Sequence, residues 1–234
     1  MVSGPSGTGK GTICAGLIAS TKAVISVSMT TRAPREHEEE GRSYYFVDKE
    51  RFEAVIAEGG LFEYAEVYGE YYGTPKAPVI EQLDRGMDVI LEIDVNGAMQ
   101  VRENMPEAIL VFIMPPSLEE LRRRIESRGT ESPEHIARRL ERSEGEIAQL
   151  GNYKYCVVND DLATAIGSVA AIMRAEGLGA GGGAGAGGGL SAGQDGSPKD
   201  EDAVALAEKL RIDGHAERII ERYKTGDILV RYKG

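Results

Sequence analysis

GPSGTGKGT, residues 4–12, is the stretch that decides the fold of this 234-residue chain. Its spacing, G-x-x-x-x-G-K, is that of a phosphate-binding loop, in which backbone N–H groups surround a polyphosphate and the lysine reaches the outer phosphates. Glycine is required because the backbone approaches the ligand closely and takes positive φ angles. Such a loop joins a strand to a helix. An apolar stripe within 13–18 predicts the helix, whereas only residues 1–3 are left for the strand.

The loop therefore predicts a nucleoside triphosphate site behind an unusually short first strand. Because a central strand is buried on both faces, the loss of apolar residues there costs several kcal/mol, and we hypothesise that the natural chain begins a few residues upstream. Gly11 stands where a hydroxyl residue usually follows the lysine, so Thr12 is expected to lie near Mg²⁺. The residues expected to contact the triphosphate are Gly4, Pro5, Ser6, Gly7, Thr8, Gly9, Lys10, Gly11 and Thr12.

Composition excludes several classes of protein. The formal net charge of -11 argues against general nucleic-acid binding. No apolar run is long enough to cross a membrane, and no secretory leader is present, so we expect a cytoplasmic protein without a membrane partner. Cys14 and Cys156 lie in separate apolar segments and are expected to be reduced thiols. The three histidines have no metal-ligand spacing.

Strand and helix patterns alternate along residues 1–176, which predicts an α/β fold with a P-loop parallel sheet flanked by helices. Apolar or alternating segments predict strands at 23–28, 43–47, 61–68, 88–93, 108–114 and 155–158. Periodic segments predict helices at 49–58, 76–85, 95–104, from Ser117 onward, 132–150 and 162–176.

The C-terminal part of the chain has a different composition. Residues 177–189 are almost wholly Gly and Ala, polar residues follow to 200, and 177–200 is predicted to be a flexible linker. An amphipathic helix is predicted at 203–223, weakened by Gly214, with apolar positions that need a surface to cover.

Arg32 and Arg35 are three residues apart on a loop that Pro34 restrains. Two guanidinium groups so placed can hold one phosphate in a bidentate manner. Tyr44 and Tyr72 could donate phenolic hydroxyls to the same phosphate. From spacing alone, a pair of solvated surface arginines is an equally good interpretation, and for the tyrosines ordinary core or rim packing is the commoner case.

Glu63 and Asp94 are carboxylates in apolar strand settings, and the carboxyl end of a parallel strand is where open α/β sheets bind ligands. A carboxylate accepts the N1–H and N2–H₂ donors of guanine and is left unpaired by adenine. Ser28 and Thr74 could donate to the guanine O6. The alternatives are a solvent-facing residue for Glu63 and a helix N-cap for Asp94.

Other charged residues suggest transfer chemistry. Glu92, on the strand before Asp94, could organise Mg²⁺ through water. Arg128 ends a helix beside Gly129, and Arg139 lies eleven residues later; two such arginines on a closing lid would neutralise a transferring phosphoryl group. The run 122–124 is expected to be a solvated helix face.

Taken together, these motifs resemble the guanylate kinase family, which transfers phosphate from ATP to GMP. The resemblance rests on GPSGxGK at 4–10, SVSxTTRxPR at 26–35, GxxYxFV at 41–47, YYGT at 71–74, LEID at 91–94 and RGTE at 128–131. It implies that Arg128 and Arg139 are catalytic lid arginines beside Lys10 and Arg32, and that Asn159 lies on the adenine side. It implies a GMP site made of Ser28, Arg32, Arg35, Tyr44, Glu63, Tyr72, Thr74 and Asp94.

The resemblance also implies a division of the chain. The kinase-like domain spans 1–176, with a core of 1–28, 82–118 and 138–176, a GMP-binding part at 29–81 and a lid at 119–137. The segment 201–234 is a short helical tail similar to the C-terminal continuation of some bacterial members, so the glycine-rich stretch is interpreted as an insertion; a docking peptide is the alternative. Two rival functions remain: a non-catalytic phosphopeptide-binding module and a kinase for another nucleotide or sugar phosphate.

Overall fold

The computed structural model describes residues 1–127, 132–177 and 201–225. Short strands and longer helices alternate through these ranges. The strands are β1 (Val2–Ser3), β2 (Val24–Ile25), β3 (Met29–Thr30), β4 (Tyr45–Phe46), β5 (Leu61–Val67), β6 (Glu70–Pro75), β7 (Val89–Ile90), β8 (Val111–Met114) and β9 (Tyr155–Val158). The helices are α1 (Lys10–Ser20), α2 (Lys49–Ala57), α3 (Lys76–Asp84), α4 (Val95–Asn104), α5 (Leu118–Glu126), α6 (Pro133–Ala148), α7 (Leu162–Ala175), α8 (Glu201–Leu210) and α9 (Ala216–Thr225).

The core sheet is parallel, as the alternating pattern predicted. Strands β1, β8 and β9 pair in that order, and β2 pairs with β7. Val2 joins the two groups, because its N–H donates to Leu91 O at 2.9 Å and its carbonyl accepts from Ile93 N at 3.3 Å. The first strand is short, as expected from residues 1–3. It is nevertheless central, since Val2 also pairs with Val111 of β8.

Helices cover both faces of this sheet. On one face α1 buries Ile13 and Leu17 against α7, and on the other Val101 of α4 belongs to the same apolar cluster as Phe112 and Met114 of β8. Every residue of β8 is buried, which explains why its sequence is a continuous apolar run rather than an alternating one. The carboxyl ends of these strands lead into the loops that carry the site.

A second sheet, of strand order β4-β3-β6-β5, contains residues of the predicted GMP-binding part. The strand predicted at 23–28 is present but shorter, as β2 covers only Val24–Ile25, and the chain then leaves the core sheet and enters the second sheet at β3. Strand β6 was not predicted. It forms a hairpin with β5 through a turn at Tyr68 and Gly69, where both φ angles are positive.

The C-terminal segment packs on the core. The single helix predicted at 203–223 was wrong: it is divided into α8 and α9 by a turn at Asp213 and Gly214, both with positive φ. Between the two helices Ile212 N donates to Lys154 O at 3.0 Å, and Arg211 pairs with Tyr155 of β9. The edge of β9 is thereby covered.

Helix α9 packs behind α6. Ile219 and Tyr223 are 2% and 3% exposed and belong to the same apolar cluster as Ile147 of α6. Ile220 and Tyr223 line a small cavity of about 70 Å³ together with Ile147. The apolar positions predicted in this segment therefore have a surface to cover, although Leu206 stays 37% exposed.

Among the residues that the structure describes, no helix has the length and apolar character needed to cross a bilayer. Arg128 and nearly all of the predicted linker at 177–200 lie outside the described residues, as does the chain after Thr225. The predicted boundary between lid and core, at 137 and 138, falls inside the continuous helix α6.

Candidate active site

The phosphate-binding loop has the backbone that its glycines predicted. Gly4, Gly7 and Gly9 take φ angles of 137°, 88° and 87°, where side chains are strained. A Cβ at Gly4 would lie 2.2 Å from Ile113 O, so the loop also needs glycine to pass the sheet. Thr8 is buried, and its Oγ1 donates to Pro5 O at 2.9 Å. The loop is thus a preformed turn whose N–H groups precede α1.

Lys10, at the start of α1, folds back over this loop. Its Nζ donates to Gly4 O at 2.6 Å and to Pro5 O at 2.9 Å. Burial lowers the pKa of Lys10, and the carboxylates of Glu92, Glu146 and Asp94 oppose that shift. The ammonium group therefore stands at the mouth of the loop with acids on several sides, and an incoming polyphosphate would exchange its carbonyl partners for phosphate oxygens.

Glu92 lies beside the loop in a position suited to a cation. A Cβ at Gly11 would lie 3.3 Å from Glu92 Oε1, so the glycine leaves room for this carboxylate. Burial raises the pKa of Glu92, and Lys10 lowers it. Thr12 is exposed one residue further along α1. A hydroxyl and a carboxylate are hard oxygen donors, and Mg²⁺ takes few protein ligands beside phosphate and water, so these residues fit that ion.

A cavity of about 320 Å³ opens on one side of the loop, lined by Gly7, Gly9, Thr12 and Asn159 among others. Asn159 is buried, and its Nδ2 donates to Thr8 O at 2.7 Å. Arg124 also lines the cavity, with Nη2 2.9 Å from Asn159 O and Nε 2.7 Å from Glu120. The sequence interpretation of Arg124 as a solvated residue was therefore wrong; a side chain that reaches across to a residue 35 positions away leaves no local signal.

A larger cavity of about 560 Å³ opens on the other side, between the loop and α6. Ser6, Lys10 and Asp94 line it from the core. One face of α6 lines it at helical spacing with His135, Arg138, Arg139, Arg142, Ser143 and Glu146. Arg139 donates from Nη2 to Ser6 Oγ at 2.6 Å, which places this predicted lid arginine against the phosphate loop.

Arg142 and Glu146 were not singled out from the sequence. Arg142 Nη2 lies 3.3 Å from Asp94 Oδ2, and its Nε lies 3.0 Å from Glu146 Oε1. Burial raises the pKa of Glu146. Asp94 is the N-cap of α4, since its Oδ1 accepts from Gly97 N at 2.8 Å. The alternative assigned to Asp94, a helix cap, is thus correct for one oxygen, while the second faces the cavity.

Glu63 is buried beside this N-terminus, at 9% exposure. Thr74 Oγ1 donates to Glu63 Oε1 at 2.6 Å. A Cβ at Gly97 would lie 2.8 Å from Glu63 Oε2, so a glycine in α4 makes room for the carboxylate. Burial raises the pKa of Glu63, Thr74 lowers it, and Asp94 raises it further. The interpretation of Glu63 as solvent-facing was wrong, and the two predicted carboxylates do lie together.

Three of the residues predicted to hold the GMP phosphate lie together: Arg32, Tyr44 and Tyr72. Arg32 Nε donates to Tyr72 Oη at 3.2 Å, and its guanidinium lies 5.5 Å from the centre of the Tyr44 ring. Glu38, which the sequence did not single out, accepts from Arg32 Nη2 at 2.8 Å and from Arg35 N at 2.8 Å. These hydrogen bonds raise the pKa of Arg32 and lower that of Glu38.

The remaining residues predicted for the GMP site make fewer side-chain contacts. The Arg35 side chain is exposed, and Ser28 is half-buried and contributes its carbonyl, which accepts from Tyr45 N at 2.8 Å. Arg128 lies outside the described residues.

Comparison with known proteins identifies the family of the chain. The family model described as guanylate kinase matches residues 1–176. The guanylate kinase of Clostridium tetani is 53% identical over 176 residues, which is 75% of this chain and 85% of that protein. A guanylate kinase of Thermus thermophilus is 51% identical over 75% of this chain and 80% of its own length. A crystal structure of guanylate kinase from Anaplasma phagocytophilum matches with a TM-score of 0.59 and 37% identity, over 77% of this chain and 86% of that one. The chain therefore belongs to the guanylate kinase family.

Proposed function

We propose that the chain transfers the γ-phosphoryl group of ATP to GMP in the cavity between the phosphate-binding loop and α6. The observation that carries the proposal is that Lys10 and Asp94 line one cavity with the arginines of α6. A triphosphate cradle, an acceptor for guanine and a row of cationic side chains thus share one space. A phosphopeptide-binding module would not need the loop or Lys10, and family membership does not favour it.

The reaction joins an oxygen of the GMP α-phosphate to the γ-phosphorus while the bond from that phosphorus to the β-phosphate oxygen breaks, giving GDP and ADP. GMP is already an anionic nucleophile, so positioning and charge neutralisation provide the catalysis. Lys10 and the loop hold the donor. Arg32, with Tyr44 and Tyr72, aligns the acceptor phosphate.

The two carboxylates select the base. Glu63 and Asp94 accept hydrogen bonds from guanine and would be left unpaired by adenine. Thr74 and Ser28 complete the acceptor site in this proposal, and Arg35 joins Arg32 on the phosphate. Arg139, and Arg128 outside the described residues, neutralise the transferred group from the lid.

On the donor side, Asn159 and Arg124 border the adenine. Thr12 and Glu92 would hold Mg²⁺, which neutralises charge on the β- and γ-phosphates when bound. The proposal includes the cytoplasm as location, and ATP and GMP as partners rather than nucleic acid or membrane. The formal net charge of -11 supports the exclusion of nucleic acid and anionic membranes, since it disfavours polyanionic partners.

Coupled assays with GMP, dGMP, AMP and UMP test the proposal. We expect GMP-dependent ADP formation, and we expect Lys10→Ala to lower kcat/KM by at least ~10²-fold, a usual loss when charge stabilisation is removed. Lys22→Ala, which changes an exposed lysine just beyond α1, is the matched control. Equal rates in Lys10→Ala and Lys22→Ala, or a preference for AMP, would overturn the assignment.

A further inference from the structure

The cationic face of α6 contains an arginine that is held by the base-recognition acid rather than by the phosphate loop. Arg142 lies one helical turn from Arg139 on the same face and lines the same cavity. Arg139 contacts Ser6 of the loop, whereas Arg142 contacts Asp94 Oδ2 at 3.3 Å. Two neighbouring arginines of one helix therefore have different partners.

The geometry of Asp94 makes the partner of Arg142 significant. Asp94 Oδ1 is engaged by Gly97 N at 2.8 Å, a helix cap whose loss would destabilise the first turn of α4. Oδ2 is thus the oxygen left for a ligand, and it faces Arg142. A guanine base that donates to Oδ2 competes with the guanidinium for this oxygen.

We propose that Arg142 changes partners during the catalytic cycle, leaving Asp94 when guanine binds there and moving to the phosphates in the same cavity. The inference rests on the proposed function and adds a further catalytic residue to it. The ion pair with Asp94 is weak enough to exchange, because the two side chains are 61% and 45% exposed. Glu146, 3.0 Å from Arg142 Nε, keeps the guanidinium at the cavity in both states.

The consequence is that one positive charge reaches the reaction only when the acceptor is present. Before GMP binds, Arg142 neutralises Asp94 and is not available to the donor. After guanine engages Asp94, the guanidinium is released to neutralise charge on the transferring group, as arginines do in phosphoryl transfer. Hydrolysis of ATP in the absence of acceptor is thereby disfavoured.

The variant Arg142→Gln distinguishes this role from a structural one. For this variant the proposal predicts tighter binding of guanosine but slower turnover of GMP. The inhibition constant of guanosine, which has the base but no phosphate, should fall about threefold, since no ion pair has to be broken. The kcat for GMP should fall at least ~10-fold, because a cation is lost from the transfer step. Arg142→Lys should recover part of kcat, since it keeps the charge.

Arg122→Gln is the matched control, since it removes the same charge from an exposed position on α5. If Arg142→Gln resembles Arg122→Gln in both quantities, the proposal is overturned. Weaker guanosine binding would instead mean that Arg142 orients Asp94, and unchanged kcat would mean that it never reaches the phosphates; either result contradicts the partner change. Wild-type enzyme that shows no GMP-dependent ADP formation would refute the proposed function itself, independently of any variant.

Discussion

Thr74 Oγ1 donates a 2.6 Å hydrogen bond to Glu63 Oε1 across the β5–β6 hairpin, and both side chains are buried. The bond occupies one carboxylate oxygen and fixes the rotamer of the side chain. The second oxygen, Oε2, faces the first turn of α4 at Gly97. An acid held in this way is a preorganised acceptor, so little conformational entropy is lost when a base binds to it.

Glu63→Gln should weaken GMP selectively. The amide replaces a charged acceptor by a neutral one and places a donor among the donors of guanine, which should raise KM for GMP roughly 10- to 100-fold. KM for ATP should stay within about twofold, because Glu63 does not line the donor-side cavity beside the loop. Steady-state kinetics with each substrate varied in turn measures both effects. Glu66→Gln, at an exposed position of the same strand, is the control; a similar rise in both KM values would contradict the assignment.

The pH dependence of GMP binding should follow from the same carboxylate. Burial raises the pKa of Glu63, so on acidification it binds a proton earlier than an exposed glutamate does. Affinity for GMP should therefore fall as the pH is lowered through this raised pKa, and the effect should be absent in Glu63→Gln. Calorimetric titration of GMP at several pH values measures it. An identical pH profile in the variant would show that another group is responsible.

The effect on folding has the opposite sign. The folded protein holds the Glu63 proton more tightly than the unfolded chain does, so this group stabilises the fold at low pH and loses that contribution as the pH rises through its pKa.

Gly97→Ala should separate stability from binding. Alanine in a helix is favoured over glycine by about 0.5–1 kcal/mol, but the new Cβ would lie 2.8 Å from Glu63 Oε2 and displace the carboxylate. We expect no gain in Tm, because displacement of the buried, hydrogen-bonded carboxylate offsets the gain in helix propensity, together with a KM for GMP raised at least about tenfold. Gly167→Ala, where a Cβ meets open space in α7, should raise Tm without affecting KM. Normal GMP kinetics in Gly97→Ala would show that Glu63 needs no exact placement.

Arg32→Lys should lower activity with GMP strongly, although lysine keeps the positive charge. The Arg32 guanidinium donates at once to Tyr72 Oη, Ala33 O and Glu38 Oε1, which an ammonium group on a flexible stem cannot do. The value of kcat/KM for GMP should fall about 100-fold. Arg42→Lys, on the same loop but in an exposed ion pair, should change it less than about twofold. Comparable losses in the two variants would indicate a general effect of the loop.

Ile219→Ala should destabilise the whole protein. This side chain of α9 is 2% exposed and belongs to the core cluster, and its truncation should lower the free energy of unfolding by about 2–4 kcal/mol. Leu206→Ala, at a 37% exposed position of α8, should cost less than about 1 kcal/mol. Urea denaturation compares them. Equal midpoints for Ile219→Ala and wild type would mean that α9 does not pack on the core in solution.

Local patterns predicted much of the fold and of the site. The glycines of the loop, the cap at Ser117 and the helix 95–104 depend on interactions within a few residues, and the structure confirms each of them. The strand predicted at 23–28 is shorter in the structure, because only Val24 and Ile25 pair with β7 before the chain passes to the second sheet at Met29. That change of partner depends on distant strands, and the local sequence pattern does not show it.

Contacts between distant residues could not be predicted in this way. Arg142 meets Asp94, 48 positions away, because α6 turns one face toward the start of α4, and that orientation is a property of the packed core. Arg124 reaches Asn159 for the same reason. Glu38 is closer in sequence to its partner Arg32. It lies, however, in a run of acidic residues, and the sequence does not indicate which of them faces inward.

Helix α6 lines the cavity proposed to bind the nucleotides with one face, and with residues such as Ile147 it also lines the small cavity against α9. Residues 201–225 lie beyond the part of the chain that the family model matches. Substitutions in this segment can therefore shift the arginines and alter turnover without touching a nucleotide. A screen for faster or slower variants should recover changes at Ile220 and Tyr223, positions that sequence comparison within the family domain would never examine.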